Sequence, residues 1–131
     1  MDVQYLGLGD LLVIASNVLG IEAEVLARAT NLVIGDSALN APAASFGGVE
    51  FYPDFATKVG VLGYRLARNH ALPDGNKRSA LLAMIEFAER NGRSWKVLDE
   101  DETVETMVQV AAGSMSEDAF IRWVSHRLEE Q

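Results

Sequence analysis

The chain contains no cysteine, which excludes a disulfide framework and thiolate metal sites and suits a reducing cytoplasm, the expected location. Its longest apolar runs, such as Leu11-Leu12-Val13-Ile14-Ala15, fall far short of the roughly 18 residues that a membrane span needs. No basic segment precedes an apolar run after Met1, so no secretory signal is expected. Positive charge is also in short supply. Eleven Lys and Arg against 19 Asp and Glu leave a net charge of −8, which opposes general binding to nucleic acid. Internal repeats and low-complexity tracts are missing too. What remains is ordinary globular material, 49% apolar and 23% charged, and 131 residues predict one domain over residues 1–131.

The scarce positive charge is unevenly spread. Lys58, Arg65, Arg68, Lys77, Arg78, Arg90, Arg93 and Lys96 are eight of the 11 basic residues and fall within one central stretch. Acidic residues gather elsewhere, in Asp99-Glu100-Asp101-Glu102 with Glu105 and at Glu129-Glu130. The first of these runs is the expected composition of a solvated helix start, where carboxylates complement the helix dipole.

Apolar spacing predicts an almost wholly helical chain. Leu8, Leu11, Leu12, Ala15 and Leu19 form a stripe over residues 8–19 that stops at Gly20. A second helix is expected over 22–33 on Val25, Leu26, Ala29 and Val33, with Gly35 as its stop. From Gly35 to Pro53, Pro42, Gly47 and Gly48 suggest turns or a short hairpin. Residues 54–69 carry the stripe Phe55, Val59, Leu62, Leu66 and Ala67, with Gly60 and Gly63 allowing a neighbour close. After a break at Pro73-Asp74-Gly75, a stripe of Ala80, Leu81, Met84, Ile85 and Ala88 runs to Asn91 and stops at Gly92. An extended connector over 93–98 and closing helices over 99–112 and 116–129, the latter capped by Ser116, complete the expectation. The fold class is therefore all-α, a compact bundle of about six helices. The third and fourth form a central antiparallel pair around the loop between them, with Leu62, Leu66, Leu81, Met84 and Ile85 in the core.

That loop holds the chemistry. In His70-Ala71-Leu72-Pro73-Asp74-Gly75-Asn76-Lys77-Arg78, the turn at Gly75-Asn76 opens into a helix and presents free backbone N–H groups and a positive dipole end. Lys77 and Arg78 sit in that helix's first turn, where the dipole disfavours cations, and a bound phosphate compensates. Asp74 can hold Mg²⁺ through one carboxylate with phosphate oxygens and water completing the shell. Arg78 can fork two phosphate oxygens, Asn76 can donate an amide N–H to a transferring group, and His70 can take a proton from an incoming hydroxyl. Taken singly, each residue has a plainer role: a histidine cap, an Asp-Gly-Asn turn, a solvated Lys-Arg pair. Their concentration in nine residues between two apolar helices favours the phosphate site.

The same window resembles the Fic/Doc motif, His-x-Phe-x-(Asp/Glu)-Gly-Asn-(Gly/Lys)-Arg, at six of its seven fixed places; Leu72 replaces the usual Phe, a core-facing anchor. Asp36-Ser37-Ala38-Leu39-Asn40-Ala41-Pro42, Tyr52-Pro53-Asp54 and Phe87-Ala88-Glu89-Arg90-Asn91-Gly92 are similar in order and spacing to the flanks of that family. Lys77 stands where AMP-transferring members carry Gly, and Leu81 stands where they carry a second Arg. Both features resemble the Doc (death-on-curing) toxins of Phd/Doc-type toxin–antitoxin systems.

The resemblance implies ATP and Mg²⁺ as cofactors and transfer of the γ-phosphate to a hydroxyl of elongation factor Tu, arresting translation. By position it implies His70 as general base, Asp74 as metal carboxylate, and Gly75, Asn76, Lys77 and Arg78 as the nucleotide site, with Asn76 and Arg78 sharing in catalysis. No Ser/Thr-x-x-x-Glu-(Gly/Asn) self-inhibitory helix is found, so restraint is expected from a Phd-like antitoxin whose C-terminal segment folds into a groove. AMP transfer and a catalytically silent binding module remain the alternatives. His126, with Phe120, Trp123, Val124 and Leu128 around it, is expected to serve packing or surface, not catalysis.

Overall fold

The computed structural model describes residues 2–96 and 99–130. Seven helices are present among them: α1 Leu8–Leu19, α2 Ala23–Ala29, α3 Leu32–Asn40, α4 Phe55–Asn69, α5 Asn76–Arg90, α6 Glu100–Ala112 and α7 Glu117–Ser125. A 3-10 turn over Ala41–Ala43 follows α3, and two short antiparallel pairs complete the element list, β1 Ser45–Phe46 with β2 Val49–Glu50 and β3 Arg93–Trp95 with β4 Leu128–Glu130. No helix is long and apolar enough to cross a membrane. The expected all-α bundle holds, with differences at three joints.

The helix expected over 22–33 is two helices. Thr30 turns its hydroxyl back to the Leu26 carbonyl at 2.7 Å, Asn31 accepts from the Ile34 N–H at 3.1 Å, and the Asn31 N–H leaves the helix to donate to the Ala71 carbonyl at 2.8 Å. Val33, expected inside that helix's stripe, is 81% exposed. Gly35 is not a stop but sits within α3, where a Cβ would lie 3.4 Å from Leu8 and 3.6 Å from Ala71. The last helix ends at Ser125 instead of 129, because Leu128 to Glu130 pair with Arg93 to Trp95. The connector expected over 93–98 begins as that strand, and its Val97 and Leu98 lie outside the described residues.

α4 is the axis of the bundle. A Cβ on Gly60 would stand 3.0 Å from the Ile121 backbone of α7, and one on Gly63 would stand 2.1 Å from the Met84 sulfur of α5. Only a residue without a side chain allows both approaches. Gly63 lies against Met84 while Leu66 and Ala80 share a gap nearer the loop, so α4 and α5 run antiparallel, as expected. Leu62, Leu66 and Met84 are buried. Leu81 and Ile85 are only half-buried, because the α5 stripe is wider than its buried face.

Lys58, fully buried on α4, donates to the Pro42 carbonyl at 3.1 Å and the Glu50 carboxylate at 2.9 Å, with its ammonium over the Tyr5 ring. Burial pushes its pKa down, but Glu50 and Tyr5 outweigh that and hold it above the ordinary lysine value. The β1–β2 segment is thereby tied to the bundle axis.

Candidate active site

α4 is followed directly by its capping residue His70, whose φ of 50° and ψ of 48° are left-handed. It is the one non-glycine residue with positive φ among the described residues. Such a conformation costs on the order of 1–3 kcal/mol and persists only where the surroundings enforce it. Here they do: Ala71 and Leu72, the next two residues, are buried, and Ala71 accepts from the Asn31 N–H. Leu72, 5% exposed, fills the anchoring position expected of it. The sharp turn leaves the His70 side chain exposed on the wall of a cleft of about 570 Å³.

The cleft contains every site residue expected from the sequence: His70, Asp74, Gly75, Asn76, Lys77 and Arg78. Gly75 has φ of 70°, and a Cβ there would meet Leu19 and Val18 of α1 at 3.1 Å, so both conformation and space require glycine. α5 begins with no side-chain cap and no acidic residue in its first turn. Its first helical bond is Ser79 N–H to the Gly75 carbonyl at 2.9 Å, which leaves the N–H groups of Asn76, Lys77 and Arg78 without helical acceptors. Among the described residues neither Lys77 nor Arg78 is in an ion pair, whereas Lys58, Arg65, Arg90 and Arg127 all are. Two unpaired cations at the positive end of a helix dipole are an unfavourable arrangement that an anion reverses.

Asn76 spans the loop. Its Oδ1 accepts from the Leu72 N–H at 3.1 Å and its Nδ2 donates to the Leu72 carbonyl at 3.0 Å, leaving one amide hydrogen for a ligand. Asp74 accepts from the Gly75 N–H at 2.8 Å through Oδ1, and its other oxygen is available. No cluster of three or more metal-ligating residues occurs among the described residues. A single exposed carboxylate beside an anion site fits a Mg²⁺ ion, which is usually held by one or two carboxylates with phosphates and water.

Sequence reasoning missed the other walls of the cleft. Val18 and Leu19 come from α1, and Val104, Met107 and Val108 from α6. A signal was available for two of them. On α6 the other large exposed side chains are acidic, Glu100, Asp101 and Glu105, yet Val104 is 61% and Val108 40% exposed. Apolar residues at i and i+4 on an acidic face mark something other than solvent. His126 caps the end of α7, is exposed and does not line the cleft.

The model of the Fic/DOC family matches residues 6–88, a span that runs from α1 through the cleft loop and most of α5. Toxin Doc of Mycolicibacterium smegmatis is 37% identical over 118 residues, covering 89% of this chain and 88% of that protein. The chain belongs to the Fic/DOC family, and within it resembles a Doc toxin.

Proposed function

We propose that this protein is a Doc-type toxin that transfers the γ-phosphate of ATP to a hydroxyl of a translation factor, elongation factor Tu by resemblance, in the cytoplasm. One observation carries the reading: α5 starts uncapped, with Lys77 and Arg78 unpaired, in the same cleft as an exposed His70. His70 takes the proton of the target hydroxyl while its oxygen bonds to the γ-phosphorus and the bond to the bridging oxygen breaks, so that ADP leaves. The α5 N–H groups, Lys77 and Arg78 stabilise charge on the phosphate oxygens as it develops. Asp74 would hold Mg²⁺, which supplies further charge neutralisation on the phosphates. Asn76 keeps the loop closed through Leu72 and offers its remaining amide hydrogen to the phosphate.

Leu81 supports phosphate over AMP transfer. It lines the cleft as an aliphatic side chain at the position where AMP-transferring relatives carry a second Arg. Toxin activity also requires restraint, and a Phd-like antitoxin with a C-terminal segment folding into a groove is the partner this reading implies. Incubation of elongation factor Tu with the protein, ATP and Mg²⁺, followed by mass spectrometry, tests the proposal. A gain of one phosphate is expected. An AMP adduct would move the assignment to AMP transfer, and an unchanged mass would favour a silent binding module.

A further inference from the structure

The cleft is divided in two. All its charged and amide side chains belong to the loop and the start of α5, namely His70, Asp74, Asn76, Lys77 and Arg78. The facing wall is aliphatic: Val18 and Leu19 of α1, Leu81 of α5, and Val104, Met107 and Val108 of α6. Building on the nucleotide-dependent reading above, we infer that the α1–α6 wall seats the base of a nucleoside triphosphate by apolar contact alone, so that the protein accepts the four common triphosphates with little preference.

Charge fixes the orientation. The triphosphate tail is held at the uncapped end of α5, beside two unpaired cations. It is repelled from α6, whose exposed face carries Glu100, Asp101 and Glu105. The uncharged base is left for the stripe of Val104 and Val108, two side chains that α6 otherwise exposes to water. Covering them with a flat ring removes apolar surface from water on both partners.

Indifference to the base follows from what such a wall can do. A site that hydrogen-bonds a group of its ligand rejects analogues lacking that group by 10⁴–10⁵-fold, because its own polar atoms are then left unpaired. Aliphatic contact separates ligands that differ by a methylene by about 10–200-fold where a closed pocket measures their size, and an open wall that meets only the flat face of the base does not measure it. Apart from the weakly accepting sulfur of Met107, no side chain on the α1 or α6 wall of the cleft has a donor or acceptor to leave unpaired.

The full-length protein is titrated calorimetrically, with Mg²⁺, against ATP, GTP, CTP, UTP and inorganic tripolyphosphate. Affinities for the four nucleotides within about tenfold of one another are expected, with tripolyphosphate at least tenfold weaker. Val104→Asn with Val108→Asn should weaken all four nucleotides by a similar factor and leave tripolyphosphate unchanged. Both residues are substantially exposed, so the melting temperature serves as the check that the fold is intact. One nucleotide bound more than about tenfold better than the others would overturn the inference. So would tripolyphosphate binding as tightly as ATP, or a double variant that binds nucleotides as the parent does. Those three results leave the phosphate site standing, whereas failure of all five compounds to bind removes the nucleotide reading itself and this inference with it.

Discussion

Two helices that border the same cleft begin in opposite ways. α6 opens with Asp99 accepting from the Glu102 N–H at 3.1 Å and with Glu100, Asp101 and Glu102 in its first turn. α5 opens with Gly75, no cap, and Lys77 and Arg78 in its first turn. The first arrangement satisfies the free N–H groups and the dipole internally and asks nothing of a ligand. The second leaves both unsatisfied. Caps of the first kind also start α3, α4 and α7, through Asn31, Asp54 and Ser116, so the chain has ready means to close a helix start. At the cleft those means are not used, and stability is given up where a phosphate would restore it.

The sharpest way to break this contrast is to remove the chemistry proposed for the open end. His70→Ala should lower phosphotransfer by about 10²–10⁴-fold, the usual contribution of a general base. Its melting temperature should stay close to that of the parent, since the side chain is exposed and its left-handed backbone is held by neighbours. The check is growth arrest without antitoxin, beside a thermal melt. A His70→Ala protein that still arrests growth would sink the enzymatic reading and promote harm by binding alone.

Next in size is a swap of one start for the other. Lys77→Glu with Arg78→Glu gives α5 the charge pattern of α6. Triphosphate affinity should fall by roughly a hundredfold or more, since charge-assisted hydrogen bonds contribute on the order of 1.5–3 kcal/mol each. The helix itself should gain, by about 0.3–1 kcal/mol per complementary charge. Weaker binding with an equal or higher melting temperature is thus expected from calorimetry and a melt. A lower melting temperature would show that the two cations serve the fold.

Gly75→Ala attacks the joint that aims the open end. It forces a side chain into φ of 70° and within 3.1 Å of Val18 and Leu19. A loss of about 1–3 kcal/mol in denaturant unfolding is expected, together with weaker Mg²⁺-dependent nucleotide binding. Full stability in this variant would mean that α1 yields to the added methyl.

How far the sequence disclosed these features depends on how local their causes are. α1 was legible to the residue because its stripe and Gly20 lie within one stretch of chain. The cleft loop was legible because nine adjacent residues carry it. The break at Thr30-Asn31 was not, since it is set by a hydrogen bond to Ala71, forty residues on in the chain, and Gly35 looked like a stop although its role is to let α3 pack against Leu8 and Ala71. The β3–β4 pair joins residues 93–95 to 128–130 and has no local signature. For the same reason the aliphatic wall was not legible as a wall: Val104 and Val108 stand out on an acidic helix, but α1 and α6 meet the loop only in the folded chain.

The smallest effect belongs to the closed start. Asp99→Ala removes the α6 cap and should cost about 1 kcal/mol, typical for loss of a capping carboxylate. Nucleotide binding should be unchanged, because Asp99 does not line the cleft. Acid titration sharpens the point one turn further on. Glu102 accepts from the Trp123 indole and from Arg127 at 2.7 and 2.5 Å, and these partners hold its carboxyl below the ordinary carboxylate range. A carboxylate whose folded pKa is depressed stabilises the fold above its unfolded pKa, and that contribution is lost as pH falls through the folded value. The parent should therefore lose stability on acidification below the ordinary carboxylate range, and Glu102→Gln should lose less over the same interval. Glu102 is partly exposed, so solvent screening keeps the difference small. Parallel melting curves for parent and Glu102→Gln from neutral to acid pH would show that the Glu102 charge adds nothing measurable to the stability of the fold.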